Sequence, residues 1–502
     1  MRHDRRLSGA FLLVLLVLSP AARGADEWKV LEEHWYVMEL DGVKAGTMHE
    51  TVRSDGARYD ISTEVTIKID RGPSAIEIKM VSVFIETHGG EPVEVRFVQD
   101  MSRMKVETKW VFKEDHIEVT SRQGGREKVK EVPLPEEVWL TPMAIKRHWL
   151  EQRRAGAKEI VFSMLDPQAG PSPISIRSVF ESDGEYELEG RAIPVTLWKT
   201  TNSMMPGMVS TNTYAADGTL VVEEVDLPFG RMVTRLSTEA EALAATRGPG
   251  PELLIKTFIK PDRPIKTPGR AKSARFRLKI RAGELPEIPS AGAQRVEPGQ
   301  SKQTAVLVVD IRDNLAAEPG DLANEDYLSA SAMVDSEDEL IRLLAKRAVR
   351  HAEGPMARAE AMRAMVSERI SDKDLDVAFA SATETARTKS GDCSEHAVLL
   401  CAMLRADGIP ARVATGLIYV GRFIGERNIF GWHMWTQGLI DGKWVDFDAT
   451  LDRRYHAAHV LTSTSSMSDG LVSSDLASLI QLIGNLDIEV LGQTSTRPEE
   501  SP

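Results

Sequence analysis

Three side chains in the C-terminal third of the 502-residue chain have the types and order required for nucleophilic thiol chemistry. Cys393 is the candidate nucleophile, His433 the candidate base, and Asp448 the candidate partner of the imidazole. A thiol needs an adjacent base to lose its proton at neutral pH, and that base needs a partner that fixes its tautomer. The sequence therefore predicts a Cys-His-Asp site in which the sulfur attacks a carbonyl carbon.

Cys393 opens a predicted helix. Small or apolar residues follow it at Ala397, Leu400, Cys401 and Leu404, the spacing of one buried helix stripe. A cysteine in the first turn of a helix lies near unpaired N–H groups and the positive end of the helix dipole, which favour the thiolate. Upstream, capping boxes at Ser336 with Glu339 and at Ser381 with Glu384 predict two further helices, and a third begins at Pro355.

His433 and Asp448 lie on a predicted β-hairpin. The Asp441-Gly442 pair indicates a two-residue turn, which pairs Ile440 with Lys443. Continuing this register places Trp435 opposite Asp448, so that His433 and Asp448 become diagonal neighbours on one face of the sheet. The eleven residues 421–431 before the hairpin are interpreted as a loop that lines the cleft or acts as a lid.

The motifs in this part of the chain resemble those of the transglutaminase-like superfamily. The residues that carry the resemblance, between Asp335 and Val460, are GDC at the start of the helix, LRADGIPAR after it, and then HMW and DFDAT. The resemblance implies a papain-like α+β core in which a nucleophile helix with a helical lead-in packs on an antiparallel sheet. It also implies that Cys393 is the nucleophile, His433 the general base and later acid, and Asp448 the group that orients the imidazole.

Two departures from the animal enzymes of this family narrow the resemblance to its bacterial branch. Asp392 and Ser394 flank the cysteine where animal transglutaminases have GQCW, and no tryptophan lies between Trp198 and Trp432 to stabilise an oxyanion. The backbone N–H of Cys393 is therefore the one oxyanion donor that can be assigned.

The expected function is acyl transfer or hydrolysis on glutamine carboxamide or peptide bonds through a thioester. The substrate is then a protein or peptide, and an amine or water is the acyl acceptor. The rival hypotheses are a non-catalytic peptide- or envelope-binding module on the same scaffold and a lipid-binding carrier dominated by the N-terminal half. No cofactor or metal is expected, since the sequence has no EF-hand loop and the metal-like spacing of His456 and His459 lacks a third ligand.

The first 25 residues have the pattern of a secretory signal peptide, with a basic start, an apolar run from Ala10 to Leu18 and small residues near Gly24. The apolar run is too short to span a bilayer, so we expect an exported periplasmic or extracellular protein without a stable membrane span after cleavage. The predicted division of the chain is a signal peptide (1–25), a β-rich antiparallel accessory domain around one helix (26–245), a linker with added strands (246–320), the catalytic domain (321–492) and a disordered tail (493–502).

The net charge argues against a nucleic-acid-binding protein, and the cysteine spacing argues against a protein held together by a disulfide. The chain carries 75 Asp and Glu against 62 Lys and Arg, a formal net charge of −13, which argues against a nucleic-acid partner. Its two cysteines are eight residues apart on one predicted helix, about 12 Å along the axis, which exceeds disulfide reach. We therefore expect one thiol to be free for chemistry and the other to pack in the core.

Overall fold

The structure of the protein is a computed structural model that describes residues 28–71, 74–101, 104–188, 190–205, 207–244, 254–373, 380–452, 454–468 and 481–495. The predicted signal peptide lies outside these residues, as does the end of the predicted tail. No helix in the described part of the chain combines the length and apolar composition that crossing a bilayer requires.

The N-terminal half is one 14-stranded antiparallel sheet, as the alternating apolar and polar residues predicted. Its strands are β1 (Lys29–Leu40), β2 (Val43–Ser54), β3 (Arg58–Arg71), β4 (Ser74–Thr87), β5 (Pro92–Met101), β6 (Met104–Phe112), β7 (His116–Gln123), β8 (Arg126–Pro133), β9 (Glu159–Asp166), β10 (Gly170–Leu188), β11 (Arg191–Asn202), β12 (Ser210–Ala215), β13 (Leu220–Leu227) and β14 (Gly230–Ser237). The spatial order runs from β8 back to β1 and then from β14 back to β9, so β1 and β14 join two meanders.

Helix α1 (Pro142–Arg154) connects the two outer strands of this sheet, and a short helix α2 (Glu239–Leu243) follows β14. Trp149 of α1 packs against Trp198 and Tyr214 of the sheet, with both ring centroids 4.9 Å away. A sheet with one helix packed against it is the arrangement that the sequence predicted for this half.

Residues 254–320 are more ordered than the predicted linker. Strands β15 (Ala271–Ile280), β16 (Gln294–Pro298) and β17 (Thr304–Asp310) form a separate four-stranded sheet with β22 (Leu486–Ser495), in the order β16-β17-β15-β22. The added strands that the sequence predicted here are therefore present, but they belong to a sheet of their own. The strand β22 also continues three residues into the predicted tail, because Gln493, Thr494 and Ser495 pair with β15.

The C-terminal part contains a second four-stranded antiparallel sheet, in the order β20-β19-β18-β21. Its elements are α3 (Pro319–Leu322), α4 (Glu339–Ala348), α5 (Pro355–Arg369), α6 (Ala382–Thr388), α7 (Cys393–Ala406), β18 (Ala411–Phe423), β19 (Glu426–Ile440), β20 (Lys443–Phe447) and β21 (His459–Ser465). The α+β class and the helical lead-in to the nucleophile helix are confirmed.

The sheet β18–β21 is buried on both faces. One face, with Val413 and Phe447, packs against the helices in a core that includes residues 397–404 of α7. The other face, with Leu417 and Trp435, packs against Phe276 and the rest of the sheet β15–β17–β22. Alternate residues of the same strands thus supply two cores, which makes the second sheet a structural part of the domain around the candidate site.

Two local predictions are wrong. Asp338 caps α4 by accepting a hydrogen bond from the Leu340 N–H, whereas the sequence assigned this role to Ser336. The predicted loop 421–431 instead continues β18 and β19, which pair as far as Phe423 with Glu426. Between them Ile424 and Gly425 both have positive φ, which suits the two-residue turns that join strands directly.

Candidate active site

Cys393 is the first residue of α7, as predicted, and is partly exposed, whereas Cys401 is fully buried; both thiols are free. Asp392 caps the helix by accepting hydrogen bonds from the N–H and the hydroxyl of Ser394, at 2.8 and 2.7 Å. Glu395 completes a capping box, since its Oε2 accepts from the Asp392 N–H at 2.9 Å. The residues that flank Cys393 thus fix the start of its helix.

Glu395 has a second anchoring contact, because its Oε1 accepts a hydrogen bond from the Ala380 N–H at 3.0 Å. The side chain is fully buried. Burial, and then the neighbouring Asp392, raise the pKa of Glu395 to about 7. Gly391 is needed here, because its φ is +153° and a Cβ would lie 2.4 Å from the Cβ of Glu395.

The hairpin has the register that Asp441-Gly442 predicted, with Ile440 opposite Lys443. The ladder ends at Thr436 opposite Phe447, one pair before the expected pairing of Trp435 with Asp448. The chain leaves the sheet there because Asp448 Oδ1 accepts a hydrogen bond from the Thr450 N–H at 2.9 Å, which turns the backbone. Asp448 therefore reaches the imidazole from the residue after the strand.

The structure brings the three predicted side chains together. His433 Nε2 lies 2.8 Å from Asp448 Oδ2, and Cys393 is near enough to the His433 ring to contribute to its raised pKa. Trp435 stacks on His433 with ring centroids 6.2 Å apart. The imidazole therefore contacts a carboxylate and is shielded by an indole, with Cys393 nearby.

Electrostatics favour a charged imidazole at this position. Burial alone lowers the pKa of His433, but the Asp448 charge and hydrogen bond, with a smaller contribution from Cys393, outweigh it and raise the pKa to about 10. Burial likewise opposes the charge on Asp448, yet its hydrogen bonds to His433 and His459 hold its pKa well below the usual range. This arrangement can stabilise a thiolate beside an imidazolium and can move a proton to a leaving group.

A second imidazole, which the sequence did not predict at this site, contacts the same carboxylate. His459 Nε2 lies 3.1 Å from Asp448 Oδ2. His456, the other histidine of the metal-like spacing, instead uses Nδ1 to accept a hydrogen bond from the Ala458 N–H at 3.3 Å. His433, Asp448 and His459 do have ligand-type atoms within 4.8 Å of one another, but direct hydrogen bonds account for their contacts.

A buried polar cluster underlies Trp435. Asp446 Oδ1 accepts from Trp435 Nε1 and from Gln437 Nε2, both at 2.8 Å, and its Oδ2 accepts from the Ala293 N–H at 2.9 Å. Burial raises the pKa of Asp446. The sequence signal for this cluster was two polar residues opposite each other, Gln437 and Asp446, in otherwise apolar strands. The cluster fixes the indole that covers His433.

His396, one turn after Cys393, is fully buried, and its contacts do not favour a role as the base. Its Nδ1–H donates to the Asp392 carbonyl at 2.6 Å, which anchors the ring to its own helix. Burial lowers the pKa of His396. These contacts give His396 a structural role at the start of α7.

Comparison with known proteins gives one family and several solved structures. Residues 342–449 match the family model described as the transglutaminase-like superfamily. No curated protein matches the chain in sequence.

Among solved structures, a β-barrel-like DUF1849 protein from Brucella abortus is 13% identical, with 41% of this chain and 95% of that chain covered and a TM-score of 0.32. A candidate cysteine protease from Cytophaga hutchinsonii is 18% identical, with 46% and 89% covered and a TM-score of 0.27. The periplasmic domain of TgpA from Pseudomonas aeruginosa is 15% identical, with 38% and 88% covered and a TM-score of 0.25. On the family match, residues 342–449 of this chain are a transglutaminase-like domain.

Proposed function

We propose that this chain is an exported thiol enzyme that transfers or hydrolyses acyl groups of glutamine carboxamides or peptide bonds. The observation that carries the proposal is the buried His433 ring, which lies 2.8 Å from Asp448 Oδ2 and near Cys393, both of which raise its pKa. We assign Cys393 as nucleophile, His433 as general acid and base, and Asp448 as the residue that orients the imidazole. The substrate is a protein or peptide.

In the proposed first step the Cys393 thiolate attacks the carbonyl carbon, and the carbonyl π electrons move to the oxygen. The resulting oxyanion is placed to accept a hydrogen bond from the N–H of Cys393, since N–H groups in the first turn have no partner within the helix. When the C–N bond breaks, the His433 imidazolium gives its proton to the departing nitrogen, and a thioester remains on the sulfur.

In the second step neutral His433 takes a proton from an amine or from water as that nucleophile attacks the thioester. Collapse of the tetrahedral intermediate releases the new amide or acid and returns the sulfur as a thiolate beside an imidazolium. The same three residues serve both acceptors, so the exclusion of water from the cleft decides between transfer and hydrolysis.

The nucleophile is tested by alkylation with iodoacetamide and peptide mass spectrometry. We expect a rapid adduct on Cys393 that slows at least tenfold in His433→Ala, because the base that stabilises the thiolate is gone. The buried Cys401 is an internal control, since an adduct there reports unfolding. Equal rates at Cys393 in both folded proteins contradict activation by His433.

The reaction is tested with a glutamine-donor peptide, first with a labelled primary amine and then with water alone. Label incorporation indicates transfer, and release of ammonia or of peptide fragments without incorporation indicates hydrolysis. Activity that survives in Cys393→Ala contradicts the thiol mechanism, and a complete lack of activity in the unsubstituted protein favours a non-catalytic binding module. Export is tested by sequencing the N-terminus of the mature protein, since we expect the signal peptide to be cleaved after Gly24 or Ala25.

A further inference from the structure

His459, the first residue of β21, is the second imidazole on the Asp448 carboxylate. Its Nε2 lies 3.1 Å from Oδ2, the oxygen that also contacts His433 Nε2. Neither Asp448 nor His459 has any exposed surface. Asp448 therefore has three hydrogen-bond partners, the two imidazoles on Oδ2 and the Thr450 N–H on Oδ1.

The contacts of His459 define its protonation. Its Nδ1 lies 2.8 Å from the His456 carbonyl oxygen, which only accepts hydrogen bonds, so Nδ1 carries a proton. Its Nε2 faces a carboxylate whose pKa is held well below its usual range, so this contact also requires a proton on the nitrogen. Both contacts are satisfied together when His459 is an imidazolium.

The surroundings of His459 balance such a buried cation. The titratable groups that face it are the carboxylates of Asp448 and Asp446, the imidazoles of His433 and His456, and the phenol of Tyr455. Burial, and then His459 itself, lower the pKa of His456 to about 3, so that ring is neutral. The rings of Tyr455, at 4.2 Å, and Trp435, at 5.3 Å, hold the His459 ring in place.

We propose that His459 is a positioning residue for the Cys393–His433–Asp448 site, where as an imidazolium it holds Asp448 Oδ2 on His433 and offsets part of its charge. This inference rests on the proposed function. A thiolate, two imidazolium rings and one carboxylate then form a group with no net charge, and the His433 proton is held less tightly than by an isolated carboxylate.

Two substitutions separate the hydrogen bond from the charge. His459→Gln places an amide N–H near the position of Nε2, which keeps a donor to Asp448 without the charge. His459→Asn is shorter, which keeps a donor to the His456 carbonyl and loses the contact with Asp448. His456→Gln is the matched control, because it changes the adjacent ring and leaves the backbone carbonyl in place.

The readout is the rate at which iodoacetate alkylates Cys393 as a function of pH. The anionic reagent is attracted by the His433 imidazolium, so its rate falls when His433 loses its proton. We expect His459→Gln to react within about threefold of the rate of the unsubstituted protein at neutral pH. We also expect the pH at which the alkylation rate falls to be higher in this variant than in the unsubstituted protein. We expect His459→Asn to react about tenfold more slowly at neutral pH, since Asp448 loses a charged hydrogen bond.

Folded variants are selected by thermal unfolding, and His456→Gln is expected to retain the unsubstituted profile. The inference is overturned if folded His459→Gln shows no alkaline shift, and this outcome does not depend on whether the Asn variant folds. It is also overturned if both variants keep the unsubstituted rate and profile. If His433→Ala is alkylated as fast as the unsubstituted protein, the proposed function itself fails, whereas dependence on His433 without dependence on His459 removes this inference alone.

Discussion

Asp448 is the residue on which the protonation of His433 depends most. Its negative charge, at 2.8 Å from Nε2, is the main influence that opposes burial and raises the pKa of His433 to about 10. Because this pKa is above the usual value of a free histidine, the stabilisation from the charged ring is complete below about pH 6.5 and is lost as the pH rises through about 10.

Asp448→Asn removes that charge, so we expect the pKa of His433 to fall and the thiolate–imidazolium pair to break at lower pH. The alkaline fall in alkylation of Cys393 by iodoacetate is expected to move to lower pH, opposite in direction to His459→Gln. Turnover is expected to fall at least a hundredfold, as wrong-tautomer variants of other triads do. An unchanged pH profile in a folded Asn variant is the contrary result.

Glu395 is a buried carboxyl group, and its raised pKa predicts how the stability of the fold depends on pH. Burial and Asp392 raise the pKa of Glu395 to about 7 in the folded state, above its ordinary value of 4.5. A raised carboxyl pKa gives stability that is complete below about pH 4.5 and is lost as the pH rises through about 7.

Glu395→Gln does not titrate, so we expect it to remove this part of the pH dependence, about 1–3 kcal/mol in the free energy of unfolding between pH 4.5 and 7. Urea unfolding at several pH values measures the effect. Glu384→Gln, at the same position in the cap of α6, is the matched control and is expected to keep the slope. A slope that survives in Glu395→Gln assigns the pH dependence to another group.

At the scale of elements, short-range signals predicted the structure well and contacts between distant segments escaped prediction. The Asp441-Gly442 turn fixed the hairpin register, and the apolar stripe after Cys393 defined α7. His459 was not assigned to Asp448 because that contact depends on how β21 pairs with β18. The cap of α4 is Asp338 and not the predicted Ser336, because serine and aspartate are both good cap residues and the local sequence does not distinguish between them.

The turn into α7 offers a prediction at this scale. Gly391→Ala puts a Cβ 2.4 Å from the Glu395 Cβ and 2.5 Å from its Cγ, so either the capping box or the start of the helix must shift. We expect a loss of about 1–3 kcal/mol in the free energy of unfolding and slower alkylation of Cys393. Gly421→Ala is the control, since nothing lies within 4 Å of its added Cβ and its φ is not positive. Equal stability of the two variants contradicts the steric argument.

At the scale of the whole molecule, residues 254–320 show why composition misled the domain prediction. Their proline, glycine and charged residues are typical of a linker, yet the alternation Phe276, Leu278, Ile280 faces a core supplied by another sheet. The side chain of Gln294 also joins both the N–H and the carbonyl of Leu461, each at 2.9 Å. A local pattern shows that a strand has a buried face but does not identify the surface that covers it.

The N-terminal sheet contacts the C-terminal part through few of the described side chains. Met101 belongs to the helical core, with Ile78 and Val106 packed against that core, and Arg126 forms an exposed ion pair with Glu337 at 3.2 Å. An exposed ion pair contributes little stability. The contact is therefore less extensive than the packing of the sheet β16-β17-β15-β22 on the sheet β20-β19-β18-β21.

This difference predicts where the chain can be divided. A protein that begins at residue 254 keeps the core around Trp435 whole and loses only Met101 among the buried residues of the helical core, so we expect it to fold and to retain rapid alkylation at Cys393. A protein that begins at residue 321, the sequence-predicted boundary, lacks β15, β16 and β17, so Leu417 and Trp435 lose their covering sheet and Asp446 loses the Ala293 N–H. We expect this shorter protein to bind a hydrophobic dye, to unfold without a cooperative transition and to alkylate Cys401 as well as Cys393. If the protein from residue 321 instead unfolds cooperatively with Cys401 protected, the second sheet is dispensable and the catalytic domain is the smaller unit that the sequence predicted.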